Sequence, residues 1–511
     1  MDDRLGQMRN RSQEGGGEER VAAQHAKGKQ TARERIAMLA DPGSFIEYNP
    51  YMTSRAVEFG MERHRLPGDG VVTGTVLVDG RQVWVSSQDF TVLGGSLGEQ
   101  QAEKIARVQE LALQTGCPFI QINDSGGARI QEGVYSLDGY GKIFRNNILA
   151  SGVIPQISLI LGPCAGGAAY SPAITDFVYM VDGVSQMYIT GPDVIKAVTG
   201  EDVTHEDLGG ASAHARKSGN AHFHLADEAS VFAHVRRLLA YLPANNRQPA
   251  PVEDTGAGTP QPTGKIGEIL SGRATKAYDM HDVIDELFDA GSFLEVHKEY
   301  APSILVGFAR LEGRPVGIIA NQPKFLSGTL DINSSDKGAR FVRFCDAFNI
   351  PVISLVDVPG YMPGTNQEWN GIIRHGAKLL YAIGEATVPK IALIVRKAYG
   401  GAYIAMSSRT LGYDRVLSFP TAEVAVMGAE GAANIIFRKE IAGASDPVAV
   451  RGQKIEEFRE NSMNPFVSAA GGMVDDVIAP GEARQALFRS LESLSGKRES
   501  RPQKKHGNIP L

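Results

Sequence analysis

The strongest constraint in this 511-residue chain is a short backbone device that occurs twice. Ile157-Ser-Leu-Ile-Leu leads into Gly166-Gly167-Ala168, and Ile391-Ala-Leu-Ile-Val leads into Gly400-Gly401-Ala402. Aligned on the glycines, Pro155 matches Pro389, Ile157 matches Ile391, Leu159 matches Leu393 and Ile160 matches Ile394. One Gly-Gly-Ala carries little information. Two behind the same apolar, β-branched run mark a duplication and point to two similar chemical tasks.

The duplication runs through the chain in order. Asp41-Pro-Gly-Ser-Phe-Ile-Glu parallels Asp289-Ala-Gly-Ser-Phe-Leu-Glu, and Asn123-Asp124-Ser-Gly parallels Val356-Asp357-Val-Pro-Gly. The spacing is 248 residues from Phe45 to Phe293, 233 from Asp124 to Asp357 and 234 from Gly167 to Gly401. Two long units mean duplicated domains, not a solenoid. Between them, Pro243, Pro249, Pro251, Pro260 and Pro262 with Gly256 and Gly258 lack apolar periodicity. That stretch reads as a linker over 246–263, separating domains at 1–245 and 264–511.

Each half alternates β-branched runs with helical patterns. Gln82-Val-Trp-Val-Ser is followed by a helix over 99–114, with Ile105, Val108, Leu111 and Ala112 on one face, and then by the strand Phe119-Ile-Gln-Ile. Val316-Gly-Ile-Ile-Ala, a helix over 338–348 and Pro351-Val-Ile-Ser-Leu-Val repeat that order. The fold class is α/β: βαβ units on a mainly parallel sheet, with ligands expected at the carboxyl ends of strands, where the glycine loops sit.

Composition narrows the chemistry. A net charge of −6 gives no reason to expect nucleic acid or an anionic membrane as partner. Cys117, Cys164 and Cys345 lack C-x-x-C spacing, so core thiols, no structural metal and a cytoplasmic setting are expected. Met1-Asp-Asp-Arg-Leu-Gly shows no apolar leader, and the apolar stretch 153–181 is broken by Pro155, Pro163, Pro172 and Asp176, so no membrane span is expected. After a strand, Gly-Gly lets backbone N–H groups face a ligand without an intervening Cβ, and a following helix adds its positive terminus. That is an oxyanion-hole architecture, although glycines in these positions also serve close helix packing.

Longer motifs decide between those readings. Lys27-Gly-Lys-Gln-Thr-Ala-Arg-Glu-Arg, Asp89-Phe-Thr-Val-Leu-Gly-Gly-Ser-Leu-Gly, Asp124-Ser-Gly-Gly-Ala-Arg-Ile-Gln-Glu-Gly, Gly338-Ala-Arg-Phe-Val-Arg-Phe-Cys-Asp, Asp357-Val-Pro-Gly-Tyr-Met-Pro-Gly, Ile373-Arg-His-Gly-Ala-Lys, Ala398-Tyr-Gly-Gly-Ala-Tyr and Val426-Met-Gly-Ala-Glu-Gly-Ala occur in order. Over nearly its whole length the chain resembles the carboxyltransferase (β) subunits of biotin-dependent acyl-CoA carboxylases, the propionyl-CoA carboxylase type. The resemblance implies two tandem crotonase-like domains (ClpP/crotonase superfamily, ββα superhelix), the first for acyl-CoA and the second, on a partner subunit, for carboxybiotin, within a homohexamer. It implies Gly167 and Ala168 as donors to the thioester oxygen and Gly401 and Ala402 as donors to the ureido oxygen of biotin. Gly126, Gly127, Ala128, Arg129 and Gly166 would line the acyl-CoA side, and Gly360, Tyr361, Gly364 and Gly400 the biotin side. Biotin is expected on a separate carrier, since no Met-Lys-Met site occurs, and a biotin carboxylase as a further partner. The substrate is expected to be a short- or medium-chain acyl-CoA, propionyl-CoA or similar. In this family the position of Ile404 is often aspartate, which makes Ile404 a candidate for substrate choice and keeps a methylmalonyl-CoA decarboxylase or transcarboxylase subunit as the alternative.

Other signals compete. Gly94-Gly95-Ser96-Leu97-Gly98 fits the nucleophile elbow of a serine hydrolase, with Asp176 and His205 available downstream. His205, His214, His222 and His224 cluster without a zinc signature and read as solvated or locally bonded. Lys497 to His506 reads as a basic, solvated end, and Asp124 and Asp357 as turn-capping acids at strand ends.

Overall fold

The computed structural model describes residues 2–255, 263–271 and 277–510. Two compact units, Met1–Gln248 and Pro249–Leu511, meet inside the proline-rich stretch, of which 256–262 lie outside the described residues.

The first unit is built on an eight-stranded sheet: β1 (Ile46–Tyr48), β2 (Val71–Val78), β3 (Arg81–Gln88), β4 (Phe119–Ser125), β5 (Gln156–Ala165), β6 (Phe177–Val181), β7 (Gln186–Tyr188) and β8 (Phe223–Leu225). The strand order is β1-β2-β3-β4-β5-β6-β8, with β7 pairing to β5. β1, β2 and β3 are antiparallel and the rest pair in parallel. Asp79-Gly80, both at positive φ, forms the two-residue hairpin between β2 and β3. Parallel neighbours need crossovers, supplied by the helices Glu99–Thr115 and Val134–Ala150. β5 is apolar without alternation because both faces are covered: Ile157, Leu159, Ile160 and Leu161 are all fully buried.

The second unit repeats this plan on β9 (Leu294–Val296), β10 (Ile304–Leu311), β11 (Arg314–Asn321), β12 (Val352–Val358), β13 (Lys390–Tyr399), β14 (Arg415–Ser418), β15 (Glu423–Ala425) and β16 (Asp476–Val477). Its order is β9-β10-β11-β12-β13-β14-β16, with β15 on β13. The helix expected over 338–348 runs from Ile332 to Ala347. Asp331 starts it early by accepting from the Ser334 N–H at 2.7 Å in a capping box.

The repeat extends to the last helix of each unit through an arginine clamp. In the first, Asp41 accepts from the hairpin N–H groups of Asp79 and Gly80, and Arg236 ties Asp41 (3.1 Å) to the Leu39 carbonyl (2.8 Å). In the second, Asp289 accepts from Glu312 and Gly313, and Arg484 ties Asp289 (2.6 Å) to the Leu287 carbonyl (3.1 Å). A buried lysine recurs as well. Lys104 donates to the carbonyls of Gly68 and Val71, and Lys337 to those of His297, Tyr300 and Ile304, with burial pulling their pKa down to about 8 and about 7. Cys164 and Cys345 are buried free thiols and Cys117 is half-buried. No helix among the described residues is long and apolar enough to cross a membrane.

Candidate active site

β5 delivers the chain to Gly166, whose φ of +59° turns it into the helix Gly167–Ile174. The Gly166 N–H is consumed by the carbonyls of Tyr188 (3.0 Å) and Ile189 (3.1 Å), so it is no donor to a ligand. The N–H groups of Gly167 and Ala168 fall in the first helical turn, where no intrahelical acceptor exists, and meet none among the described residues. In the second unit Gly400, again at φ +59°, opens the helix Gly400–Ser407, with Gly401 and Ala402 in the same first-turn position. Each unit therefore ends a central parallel strand in N–H groups that are unpaired among the described residues and lie at a positive helix terminus, an arrangement with the chemistry to hold one anionic oxygen.

The glycines differ in what they leave room for. A Cβ on Gly167 would lie 2.8 Å from the Tyr140 ring, whereas one on Gly401 would lie 3.6 Å from the Tyr361 ring. In both units a tyrosine packs on the second glycine, but from different addresses: Tyr140 from a crossover helix, Tyr361 from the loop after β12. Tyr361 occupies the position of Ala128, since Leu97 bridges to Ala128 and Leu330 to Tyr361.

The expected lining residues fall beside these turns. The Gly126 N–H donates to the Gly94 carbonyl at 2.9 Å, and Gly127, at φ +101°, lies so close to β5 that a Cβ would be 3.0 Å from the Ala165 carbonyl. Arg129 does not offer its charge to a ligand: it is 1% exposed and holds Asp69 at 2.8 Å and Glu132 at 2.7 Å, with a further bond to the Ser96 carbonyl. It fixes the turn instead. Gly360 accepts from the Leu330 N–H, the Tyr361 hydroxyl donates weakly to the Gly376 carbonyl at 3.4 Å, and Gly364 caps the exposed helix Thr365–Asn370. Ile404, one turn into the helix Gly400–Ser407, is 44% exposed.

The two strand-end aspartates are not turn caps. Asp124 sits at a register shift in the β4/β5 pairing, and Asp357 at the matching shift between β12 and β13. Asp124 is fully buried and bound by Lys29 at 2.7 Å and Arg35 at 2.9 Å, with Arg35 passing on to Glu228 at 2.7 Å. Among the described residues Asp357 has no ion-pair partner. Its Oδ1 accepts from the Lys397 N–H at 3.2 Å, and burial pushes its pKa up to about 6 against the pull of Lys397 and Arg396. Lys29 and Arg35 were missed as buried ions. The available signal was Arg35 itself, a charge inside the helical stripe Ala32, Ile36, Leu39, all of which are buried.

The rival sites do not assemble. Ser96 Oγ donates to the Leu93 carbonyl at 2.8 Å, at the carboxyl end of the sheet, while Asp176 binds the Gln156 N–H at the opposite end and His205 contacts the Tyr188 hydroxyl. His214 goes to the Met187 carbonyl, His222 to the Val178 N–H and His224 to Asp182. No group of described residues has the make-up to hold a metal. The basic tail is docked rather than solvated: Lys497 pairs with Asp414 at 2.8 Å, and Arg501 donates to the carbonyls of Gly384 and Ala386 at the end of the helix Ile372–Glu385.

A carboxyl transferase domain model matches residues 23–509. The chain belongs to the carboxyl transferase family. It is 56% identical over 514 residues to the propionyl-CoA carboxylase carboxyltransferase subunit of Haloferax mediterranei, covering 100% of both chains. It is 57% identical over 497 residues to the methylmalonyl-CoA decarboxylase subunit alpha of Veillonella parvula, covering 97% and 96%. Among solved structures, transcarboxylase 12S with methylmalonyl-coenzyme A and methylmalonic acid bound superposes with a TM-score of 0.97 at 53% identity, covering 100% of this chain and 98% of that one. The fold is thus the tandem crotonase-like one, and the enzyme is a carboxyltransferase of the acyl-CoA carboxylase type.

Proposed function

We propose that this carboxyltransferase moves a carboxyl group from carboxybiotin to the α-carbon of a short- or medium-chain acyl-CoA, propionyl-CoA or similar. The first unit takes the thioester and the second unit of a partner copy takes biotin. The observation that carries this reading is the pair of first-turn N–H sets, one per unit, because the reaction develops charge on two oxygens. Carboxybiotin, carried by a separate biotin carrier subunit and charged by a biotin carboxylase, supplies the carboxyl group and, once relieved of it, the base for the α-proton.

The chain's own residues do the rest. Gly167 and Ala168 hold the thioester oxygen as it becomes an enolate, and one preorganised donor of this kind is worth about 3–4 kcal/mol of barrier. Gly401 and Ala402 hold the ureido oxygen. The fit is good: two N–H groups without acceptors beside an exposed, Cβ-free surface and the Tyr361 ring. Gly126, Gly127 and Ala128 line the thioester side, with Gly166 and Arg129 shaping it, and Gly360, Gly364 and Gly400 shape the biotin side. No side-chain base is needed.

Both turns are rimmed by exposed apolar side chains: Ile130, Val134, Tyr170 and Ile189 around the first, Trp369, Ile373, Ile404 and Val426 around the second, from 44% to 88% exposed. Matching apolar rims support closure of each site by another copy, within a hexamer like that of transcarboxylase 12S. The cytoplasm is the setting that fits its free thiols and its CoA thioester. The apolar, exposed Ile404 favours a second reading in which the same turns serve a methylmalonyl-CoA decarboxylase or transcarboxylase.

Reconstitution with biotin carboxylase and carrier subunits tests the assignment. Gly401→Val is expected to retain assembly and to lose carboxylation, and persistent carboxylation would remove the biotin-side hole. An acyl-CoA panel run in both directions separates the two readings. Ile404→Asp is expected to shift chain-length selectivity, and an unchanged profile ends its role.

A further inference from the structure

The two units differ in the connection between their first two strands. Residues 49–70 join β1 to β2, whereas residues 297–303 join β9 to β10. The excess of 15 residues accounts for the change in repeat spacing from 248 at Phe45 to 233 at Asp124, so the first unit carries a single insertion here. β2 starts at Val71 opposite Gln88, the last residue of β3, and β3, β4 and β5 run parallel. The insertion therefore stands at the end of the sheet where Gly166 and Gly167 turn.

An insertion that is merely tolerated is slack and polar, and this one is neither. Ser54 Oγ donates at 2.8 Å to Glu132, the acid that holds Arg129, and Arg65 Nε donates to the Ser54 carbonyl at 3.0 Å. The Gly68 N–H closes the loop on the Met52 carbonyl at 2.8 Å, and Met61 is 1% exposed. The segment Glu58–His64 lies beside Ile130–Glu132. From this brace the loop presents Val57 and Phe59, 60% and 81% exposed. Phe59 is left-handed at φ +54°, followed by Gly60 at φ +80°. That is a strained setting for phenylalanine, and neither the strain nor the exposure stabilises the unit by itself. Arg55, Arg63, His64 and Arg65 are exposed along the same loop against the acids Glu58 and Glu62, a local excess of positive charge in a chain of net charge −6.

We infer that this loop docks the biotin carrier: Val57 and Phe59 enter an apolar depression of that protein, and Arg55 and Arg63 meet carboxylates at its edge. The inference rests on the reading that a separate carrier brings carboxybiotin to the acyl-CoA held by the first unit. Size selects this occupant over another copy of the chain. One phenylalanine and one valine cover roughly 300 Å², against the roughly 1,600 Å² of a lasting interface, and a carrier that leaves for recharging after each transfer needs a weak contact. The short connection 297–303 gives the second unit no counterpart, so each transfer has one docking point.

The test runs the transfer backwards in the assembled enzyme, from methylmalonyl-CoA to the ureido nitrogen of biotin, whose proton goes to the α-carbon. The acceptor is either the biotinylated carrier or free biotin. Phe59→Gly, which suits φ +54° and so preserves the loop, and Arg55→Glu/Arg63→Glu are expected to raise KM for the carrier by about tenfold and to leave free-biotin kinetics unchanged. No rise, or an equal loss with both acceptors, overturns the docking site. Dissociation of the assembled enzyme in Phe59→Gly, seen by sedimentation, would assign the tip to a contact between copies and overturn it likewise. A wild-type enzyme that transfers to neither acceptor sinks the functional reading instead. Carrier affinity by calorimetry then decides the loop: weaker binding by Phe59→Gly supports it and unaltered binding removes it.

Discussion

Asparagine substitution of the twin aspartates should move stability in opposite directions. In Asp124→Asn the buried Lys29 and Arg35 lose the carboxylate they hold at 2.7 and 2.9 Å, and only Arg35 retains an acid, Glu228. Breaking a buried pair from one side costs about 3–5 kcal/mol, because a desolvated charge is left uncompensated. For a unit of this size 1 kcal/mol moves the midpoint by roughly 2–4 °C, so a fall of roughly 6–20 °C is expected. At 357 the sign reverses. Burial raises that carboxyl from 3.8 to about 6, so the folded protein resists its ionisation. The unfolded chain releases the proton first, and stability falls as pH rises from about 4 to 6. That penalty reaches about 3 kcal/mol at pH 7.5 and only about 1 kcal/mol at pH 4.5. Asparagine removes the penalty and keeps an oxygen for the Lys397 N–H, at the cost of some counter-charge to Lys397 and Arg396. Asp357→Asn should therefore raise the midpoint by a few degrees at pH 7.5 and by about a third of that at pH 4.5. Thermal denaturation of the three proteins at matched concentration and both pH values reads this out. Equal losses in the two variants, or a gain at 357 that ignores pH, would refute the electrostatic argument.

Two further outcomes follow from the same geometry. Gly167→Ala should lose about 1–3 kcal/mol by pressing on the Tyr140 ring, while Gly401→Ala, with 3.6 Å to the Tyr361 ring, should stay within about 1 kcal/mol of the parent in denaturant melts; equal losses would contradict the packing difference. His281 is bonded by Glu295 at 3.0 Å and Asp279 at 2.7 Å, and the Glu295 bond leads in raising it to about 9. Its contribution is complete below the unfolded value near 6.5 and lost as pH climbs to about 9, about 1 kcal/mol after screening at 36% side-chain exposure. A midpoint-against-pH curve that keeps its fall between pH 6.5 and 9 in His281→Gln would assign that fall to another group.

What the sequence made legible was backbone. The Gly-Gly-Ala turns, the Asp-x-Gly-Ser-Phe hairpin partners and the β-branched strands are dictated by φ angles and burial, which duplicated units share and residue types report. Charge compensation was hidden because it is long-range. Asp124 meets Lys29 and Arg35 across about ninety residues, and nothing near Asp124 in sequence announces them. The docked tail was hidden likewise: Arg501 finds helix-end carbonyls at Gly384 and Ala386, and unpaired carbonyls leave no mark in composition. The helix of the second unit starts well before Gly338 because its cap, Asp331, lies seven residues ahead of that glycine.

The divergence between the two halves carries a consequence. At the 248-residue spacing Lys29 and Arg35 become Ala277 and Val283, and Arg33, which forks onto Glu47 at 2.9 Å, becomes His281 on Glu295. The first unit thus bolts its N-terminal segment, Gln24 to Arg35, to the strand end beside its glycine turn, whereas in the second the described part of the matching segment, 277–283, is held by apolar packing and a titratable pair. A bolt of this kind yields locally before the unit unfolds. Asp124→Asn should therefore quicken amide exchange over Gln24 to Arg35 by more than over the sheet, while Asp357→Asn leaves exchange over 277–283 unchanged. Exchange that rises uniformly across the first unit in Asp124→Asn would show that these ions do not anchor the segment.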